Sequence, residues 1–455
     1  MAIFNPHKGD QYAQSVLESA KTVCLLGAGG VGMYSIGRQL LERGYFVIGA
    51  DRASNAFTFD LQERGAQFFS CEYPSFSTLQ LCDVLIYTAA LNADHPAILW
   101  AQKMGKSTLS RADALAFLMM EAHPRVAVCG AHGKSTTTSM CAHMLARVGE
   151  GCTMVCGAET ENDGTCYKSG KGAYVFEACE YMHSFLSFTP EIAILTNVDH
   201  DHTDCYPTLE SIKEAFYSFL KQSKTAVLNA DCVHSRQMKG ASLQSYFFSL
   251  KNPKADAYLD EQNRLYWQGE YYTDLPLFLP GECNRANAAA AALGAILCGG
   301  DRETIKEAAR NERGVKRRLA YKGMCGGVRF YDDYAHHPTE IKAAICAIRP
   351  LCKGRLICVF QSHTYTRTAA CLSEIALALQ KADLAVIADI YPARETDTLG
   401  MSASVIAQAI GQNAVPVSGY KEIATYLLAT CRSQDTVLVM GAGDIFRIFD
   451  DLTLL

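Results

Sequence analysis

The sequence predicts an α/β protein built from three consecutive units, and three observations predict it. Short apolar runs that end in glycine-rich turns alternate with helical patterns from one end to the other. Two of these turns, Gly27-Ala28-Gly29-Gly30-Val31-Gly32 and Gly130-Ala131-His132-Gly133-Lys134-Ser135, have the form of phosphate-holding loops. The length, 455 residues, suits roughly three domains of about 150 residues each. The expected divisions are 1–122, 123–312 and 313–455.

In the first unit a strand, Thr22 to Leu26, runs into the glycine loop, a helical pattern follows from Met33 to Arg43, and a second strand, Tyr45 to Ala50, ends in Asp51. Strand, turn, helix and strand with an acidic residue behind them form a nucleotide-binding fingerprint. Val84 to Tyr87 and Ser107 to Leu109 extend the parallel-sheet rhythm. The second unit opens with the strand Arg125 to Cys129, the lysine-bearing loop and a helix from Thr136 to Arg147. Two later strands there matter: Ala173 to Phe176 delivers Glu177, and Ile192 to Leu195 delivers Thr196-Asn197 and then Asp199-His200-Asp201-His202. An alanine-rich helix, Asn287 to Cys298, closes the unit. The third alternates again, through Val328 to Tyr331, Arg355 to Phe360, Leu384 to Ala388 and Thr436 to Met440, and ends in Gly441-Ala442-Gly443-Asp444.

Composition narrows the function classes. With 49% hydrophobic and 20% charged residues the chain is an ordinary folded protein, not a disordered one. A net charge of -5 offers no attraction to nucleic acid or to an anionic membrane, so neither is expected as a partner. The nineteen cysteines are odd in number, contain no CxxC pair and sit inside apolar runs, which suits buried thiols in a reducing compartment. Without an N-terminal leader pattern or an apolar run of about 18 residues, the expectation is the cytoplasm.

A glycine-rich turn followed by Lys134 and Ser135 at a helix start puts backbone N–H groups, a lysine charge and a hydroxyl where nucleotide phosphates and Mg²⁺ are held. The strict loop motif needs glycine at position 128, where this chain has Val128, so a structural turn with a solvated lysine also fits. Glu177 at a strand end reads either as a surface carboxylate or as an Mg²⁺ ligand. His202 alone reads as a hydrogen-bonded strand-end histidine or as part of a metal cluster.

Several motifs in one order decide among these. Gly130 to Thr138, Glu177-Ala178-Cys179-Glu180, Thr196-Asn197 with Asp201-His202, Gly281 to Ala288, Gly314 to Arg318 and Asp332 to Glu340 together resemble the Mur ligase family over essentially the whole chain. Phe360 to Thr368, Tyr391-Pro392-Ala393-Arg394-Glu395 and Gly441 to Asp444 look like the alanine-adding branch. The resemblance implies the three-domain Mur ligase architecture: an N-terminal Rossmann-like domain for the UDP sugar, a central P-loop ATPase-like domain and a C-terminal Rossmann-like domain.

It also implies an ATP- and Mg²⁺-dependent ligase that joins L-alanine to the lactyl carboxylate of UDP-N-acetylmuramate through an acyl phosphate, as a monomer or homodimer. By matching position, Lys134, Glu177, His202 and Arg318 are catalytic. Gly130, His132, Gly133, Lys134, Ser135, Thr136, Asn284, Asn287, Arg318 and Asp333 hold ATP. Ser135 and Glu177 hold one Mg²⁺ and His202 a second. Gly27, Gly29, Gly30, Gly32, Asp51 and Arg111 fall to the UDP sugar, and His336, His363 and Arg367 to the substrates met by the last domain. Three positions depart from the pattern: Ser135 stands for the usual threonine, Cys283 for a histidine, and Ser70-Cys71-Glu72-Tyr73 for a short Gly-His motif. A murein peptide ligase, a nucleotide-binding regulator without catalysis and an NAD-dependent oxidoreductase are the competing readings. The last leaves the lysine loop unexplained.

Overall fold

Each glycine turn follows a buried apolar strand of a largely parallel sheet, which puts the loops at the strands' carboxyl ends. The computed structural model describes residues 10–71, 74–88, 90, 91, 94–200, 202, 205–393 and 395–452, and among these the strands form three sheets. Asp201 and Arg394, and Glu72 with Tyr73, lie outside the described residues. Packing divides the chain into one body of Met1–Leu277 with Ala286–Glu312 and another of Phe278–Arg285 with Arg313–Leu455.

The first body contains two of the sheets. Its five-stranded parallel sheet has the spatial order Gln67–Ser70, Phe46–Asp51, Thr22–Leu26, Val84–Tyr87 and Ser107–Ser110. Its ten-stranded sheet has a parallel centre in which Arg125–Cys129 lies between Ile192–Leu195 and Ala173–Glu177. The edges of this sheet depart from the expected all-parallel pattern. Ala257–Leu259, Arg264–Trp267 and Glu270–Asp274 form an antiparallel meander, and Tyr167–Lys168 pairs antiparallel with Cys152–Val155. The strands of the meander are short and joined by tight turns, and Asn263, Gln268 and Gly269 carry the positive φ that such turns need.

The two sheets share one hydrophobic core that runs from Leu17, Val23 and Met33 to Phe176, Phe188 and Phe219. The helix Val31–Glu42, which follows the first glycine loop, is bonded across this core. Tyr174 donates its hydroxyl to Gln39 Oε1 at 2.6 Å, and Tyr167 donates to Glu42 Oε2 at 2.6 Å. Buried tyrosines need such partners, so these bonds fix one glycine-loop helix against the sheet that bears the other. Register between the two central strands is fixed at their start, where Glu191 accepts from the Arg125 backbone N at 2.8 Å, from Nε at 3.0 Å and from Nη2 at 2.8 Å. Burial opposes the Glu191 charge, but these bonds overcome it and hold the carboxyl down at about 2.

The second body is a six-stranded sheet in the order Ala320–Cys325, Val328–Asp333, Thr436–Met440, Leu356–Phe360, Leu384–Ile387 and Ala414–Pro416, parallel except for its first pair. Apolar clusters cover both faces, with Ile341, Ile345 and Leu379 on one and Ile423, Leu427 and Ile448 on the other. The helix Glu282–Leu297 belongs partly to each body. Its buried stretch Ala288–Leu293 lies in the first, where a Cβ on Gly294 would stand 2.6 Å from Ile194 Cδ1.

Glu312, the last residue of the first body, is buried against the phosphate-loop helix Lys134–Leu145. It accepts from Ser139 Oγ at 3.0 Å and pairs with His143 Nδ1, while His143 Nε2 faces Asp163 Oδ2 at 3.4 Å. Burial opposes the imidazolium, but Glu312 and then Asp163 more than restore it, so the His143 pKa is raised. A raised histidine pKa adds stability that is complete below the unfolded value of about 6.5 and is lost as pH climbs through the folded value. His143→Gln is therefore expected to lower the melting temperature more at pH 6 than at pH 9. Equal losses at both would show that the imidazolium contributes nothing.

Candidate active site

The strand Arg125–Cys129 runs into Gly130, and the helix Lys134–Leu145 starts four residues after that glycine. Gly130 has φ +129, and a Cβ there would stand 2.2 Å from Thr196 Oγ1. Gly133 has φ +83, and a Cβ there would stand 2.4 Å from Asn287 Oδ1. Both glycines are thus required by backbone conformation and by close approach. The loop is braced by the neighbouring strand end. Thr196 Oγ1 and Asn197 Nδ2 donate to His132 O at 2.7 and 2.9 Å, and His132 N donates to Asn197 Oδ1 at 2.9 Å. The Thr196-Asn197 motif therefore acts as a clamp on the loop. The His132 ring adds Nε2 to Asp199 Oδ2 at 3.1 Å, and Thr136 is buried in the first helical turn.

Lys134 turns back over its own loop. Its Nζ donates to Gly130 O at 2.7 Å, Ala131 O at 3.1 Å and Glu180 Oε1 at 2.9 Å. Burial works against the ammonium, yet Glu180, Cys179 and Glu177 raise its pKa well above the ordinary lysine value. Burial also works against the Glu180 carboxylate, but Lys134 and His202 lower its pKa below the usual range. Ser135 Oγ donates to Glu177 Oε2 at 2.7 Å, and Gly157 N donates to the same oxygen at 2.9 Å. A Cβ on Gly157 would stand 2.4 Å from that oxygen, so a glycine makes the space in which the carboxylate sits. His202, at φ +53, places Nε2 3.3 Å from Glu180 Oε1.

These residues fit Mg²⁺. A hydroxyl and a carboxylate oxygen one hydrogen bond apart at a phosphate-loop helix are hard oxygen donors, and a second carboxylate stands beside the nearby histidine. Sequence reading named Lys134, Ser135, Glu177 and His202 but gave no role to Glu180, the fully buried centre that joins Lys134 to His202. The signal was present, since an acidic residue three positions after Glu177 can turn back toward the same strand end.

The first glycine loop makes a separate group in the same body. Gly27 has φ +87, and Gly30 caps the helix Val31–Glu42. Asp51 Oδ2 accepts from Gly29 N at 2.8 Å, and Asn55 Nδ2 donates to Gly29 O at 2.9 Å. Asp51 thus braces the loop backbone. Arg111 packs against Gly32, its Cδ 3.0 Å from where a Cβ would stand, which brings a guanidinium to the start of the loop's helix.

In the second body the candidate residues line the ends of two strands. Asp333 ends Val328–Asp333, where its oxygens accept from Leu319 N and Ala335 N, each at 2.7 Å. Burial pushes this carboxyl up to about 6 against the pull of Arg318. Arg318 Nη1 pairs with Glu340 Oε1 at 3.3 Å and lies over the Tyr334 ring. The rings of Tyr334, His336, His363 and Tyr391 then follow in sequence, 5.5, 6.0 and 5.5 Å apart. Arg367 Nη1 lies 3.3 Å from His363 Nδ1. Burial, His336 and Arg367 together depress His363 to about 4, so it is a neutral imidazole at pH 7. Thr364, which follows His363, has φ +67, a strained setting for a β-branched residue, at the N-cap of the helix Tyr365–Ala370. The Gly441 to Asp444 motif serves this body's frame, since Arg317 donates to the carbonyls of Gly441 and Gly443. Asn284 Nδ2 donates to Pro280 O at 2.8 Å, and its neighbour Cys283 is exposed.

A lysine-bearing glycine loop at the carboxyl end of a parallel strand is how α/β proteins hold nucleotide phosphates. Comparison with known proteins narrows the class. Family models described as Mur ligase family, catalytic domain, Mur ligase middle domain, and Mur ligase, glutamate ligase domain match residues 22–123, 128–295 and 317–443. The chain is 34% identical over 448 residues to a UDP-N-acetylmuramate--L-alanine ligase of Caldanaerobacter subterraneus subsp. tengcongensis, covering 95% of this chain and 97% of that one. It is 35% identical over 450 residues to the protein of the same name from Syntrophomonas wolfei subsp. wolfei, covering 94% and 96%. The fold matches the crystal structure of a UDP-N-acetylmuramate-alanine ligase from Thermotoga maritima with a TM-score of 0.79 at 24% identity, over 95% of this chain and 98% of that one. The chain belongs to the Mur ligase family.

The loop geometry makes a direct prediction. Gly133→Ala forces a side chain into a left-handed conformation and onto Asn287, a strain of about 1–3 kcal/mol. Affinity for a non-hydrolysable ATP analogue, measured by calorimetry, is expected to fall roughly 10- to 100-fold while far-UV circular dichroism stays unchanged. Unchanged affinity would show that the loop does not meet the phosphates.

Proposed function

We propose that this chain is an ATP-dependent ligase that joins L-alanine to the lactyl carboxylate of UDP-N-acetylmuramate, forming an amide in the synthesis of peptidoglycan precursors. The observation that carries the chemistry is the cluster of Lys134, Ser135, Glu177 and His202 around one phosphate loop. L-Alanine and the sugar nucleotide are drawn from the likeness to relatives of that name over nearly their full length.

The lactyl carboxylate attacks the γ-phosphorus of ATP, ADP leaves, and an acyl phosphate forms. The amine of L-alanine then attacks the acyl carbon, and phosphate departs with one oxygen of the original carboxylate. Two anions must meet in the first step, and the fixed charge of Lys134 with the loop N–H groups lowers that barrier. Ser135 and Glu177 would hold one Mg²⁺ and His202 a second, and the ions supply charge neutralisation at the transferred phosphoryl group. The loop Gly27 to Gly32, with Arg111 beside it, suits the diphosphate of the sugar nucleotide. Arg367, with its guanidinium beside a neutral His363, suits the carboxylate of the amino acid. Work in the cytoplasm is part of this proposal; among the described residues no helix is long and apolar enough to cross a membrane.

Phosphate release from ATP is expected only when UDP-N-acetylmuramate, L-alanine and Mg²⁺ are all present, and to fall by at least ~10²-fold in Lys134→Ala. Release that continues without the sugar nucleotide, or at the same rate in the folded variant, would overturn this reading.

A further inference from the structure

Glu180 is fully buried and has no part in the chemistry above. Its Oε1 binds Lys134 and faces His202, while its Oε2 has no hydrogen-bond partner among the described residues. A buried carboxylate oxygen left unsatisfied is costly, so such a group persists only where something is gained from its charge.

The chain around Glu180 is built to hold it still. Buried Tyr206 donates its hydroxyl to Glu180 O at 2.7 Å, and Ser184 Oγ donates to the carbonyls of Cys179 and Tyr181, each at 2.9 Å. Met182 and His183 both take left-handed φ, at +53 and +55, and turn the chain sharply just after Glu180. Tyr181, the next residue, sets its ring 5.2 Å from that of His202. Two strained residues and three backbone anchors thus fix one carboxylate between two functional side chains.

Two consequences follow from that placement. A histidine that binds a metal through one ring nitrogen commonly gives the N–H of the other to a carboxylate, which sets its tautomer and orientation. Glu180 lies on the Nε2 side of His202, so a cation held by His202 is held through Nδ1. Lys134, meanwhile, is turned onto Glu180 and its own loop carbonyls, and a phosphate must take the ammonium over from that carboxylate.

We propose that Glu180 is a positioning residue of the nucleotide site, which orients His202 toward a divalent cation and is the resting partner that Lys134 leaves when a phosphate binds. This rests on the nucleotide and metal reading of the site given above. Once Lys134 has moved, the Glu180 charge remains beside the cation, so metal and nucleotide reinforce one another through it.

The test uses the full chain with Mn²⁺ and a non-hydrolysable ATP analogue, and needs neither sugar nucleotide nor amino acid. Calorimetry measures analogue binding with and without the metal, and electron paramagnetic resonance follows Mn²⁺ uptake by the protein–analogue complex. Glu180→Gln is expected to weaken Mn²⁺ binding about 10- to 100-fold, while metal-free analogue binds as tightly as to the wild type or more tightly. Glu180→Asp, which keeps the charge, falls between the two and carries the comparison if the glutamine variant does not fold. Unchanged Mn²⁺ affinity in Glu180→Gln would overturn the proposal, and so would a parallel loss of metal-free analogue binding, which marks mere support of the loop. Failure of the ligase reading would appear in the phosphate-release assay and leave these binding results standing.

Discussion

A lysine ammonium and a glutamate carboxylate, both almost out of water, face each other at the start of the helix Lys134–Leu145, and the site is arranged around that pair. Neither charge is tolerable there alone. Removing one partner of a buried ion pair costs on the order of 3–5 kcal/mol, because the other is left charged and desolvated. The phosphate loop, the strand end at Glu177 and the turn at Met182–His183 must therefore keep their relative places, or Lys134 and Glu180 lose each other. On the reading proposed above, Lys134 is held ready by an interaction that a triphosphate would replace with a stronger one, since phosphate oxygens carry more charge than one carboxylate.

The rest of the first body makes that arrangement rigid. Arg125 and Glu191 lock the starts of two adjacent strands, and Thr196 and Asn197 at the far end of one clamp the loop that follows the other. Gly130 and Gly133 let the clamp and Asn287 come within reach of the loop, where any side chain would collide. Glu312 ties the outer face of the same helix to the point where the chain leaves the body. A reactive loop thus rests on packed strands and a pinned helix, the support that accurate placement of phosphates requires.

Much of this was legible in the sequence, for local reasons. Gly130 to Ser135 shows its conformation in its glycines, and strands such as Thr22–Leu26 and Thr436–Met440 are nearly continuous apolar runs with only one fold to adopt. Interactions between residues far apart in the chain were not legible. Glu180 meets Lys134 across 46 positions, and nothing around either residue announces the partner. The bond from Gly29 N to Asp51, 22 positions away, is likewise not marked by anything local to either residue. The meander at Ala257–Asp274 was missed because its strands mix exposed aromatic and charged residues, which blurs the period-2 signal. The bonds from Tyr174 to Gln39 and from Tyr167 to Glu42, which bind two apparently separate units into one body, join residues 135 and 125 positions apart.

The central claim is that Lys134 and its neighbours transfer phosphate to a carboxylate before any amide forms. It is tested most directly with UDP-N-acetylmuramate labelled with ¹⁸O in the lactyl carboxylate and mass analysis of the phosphate released during ligation to L-alanine. The account predicts one labelled oxygen in each phosphate, carried from the carboxylate through the acyl phosphate. Unlabelled phosphate, with both heavy oxygens absent from it, would contradict the account.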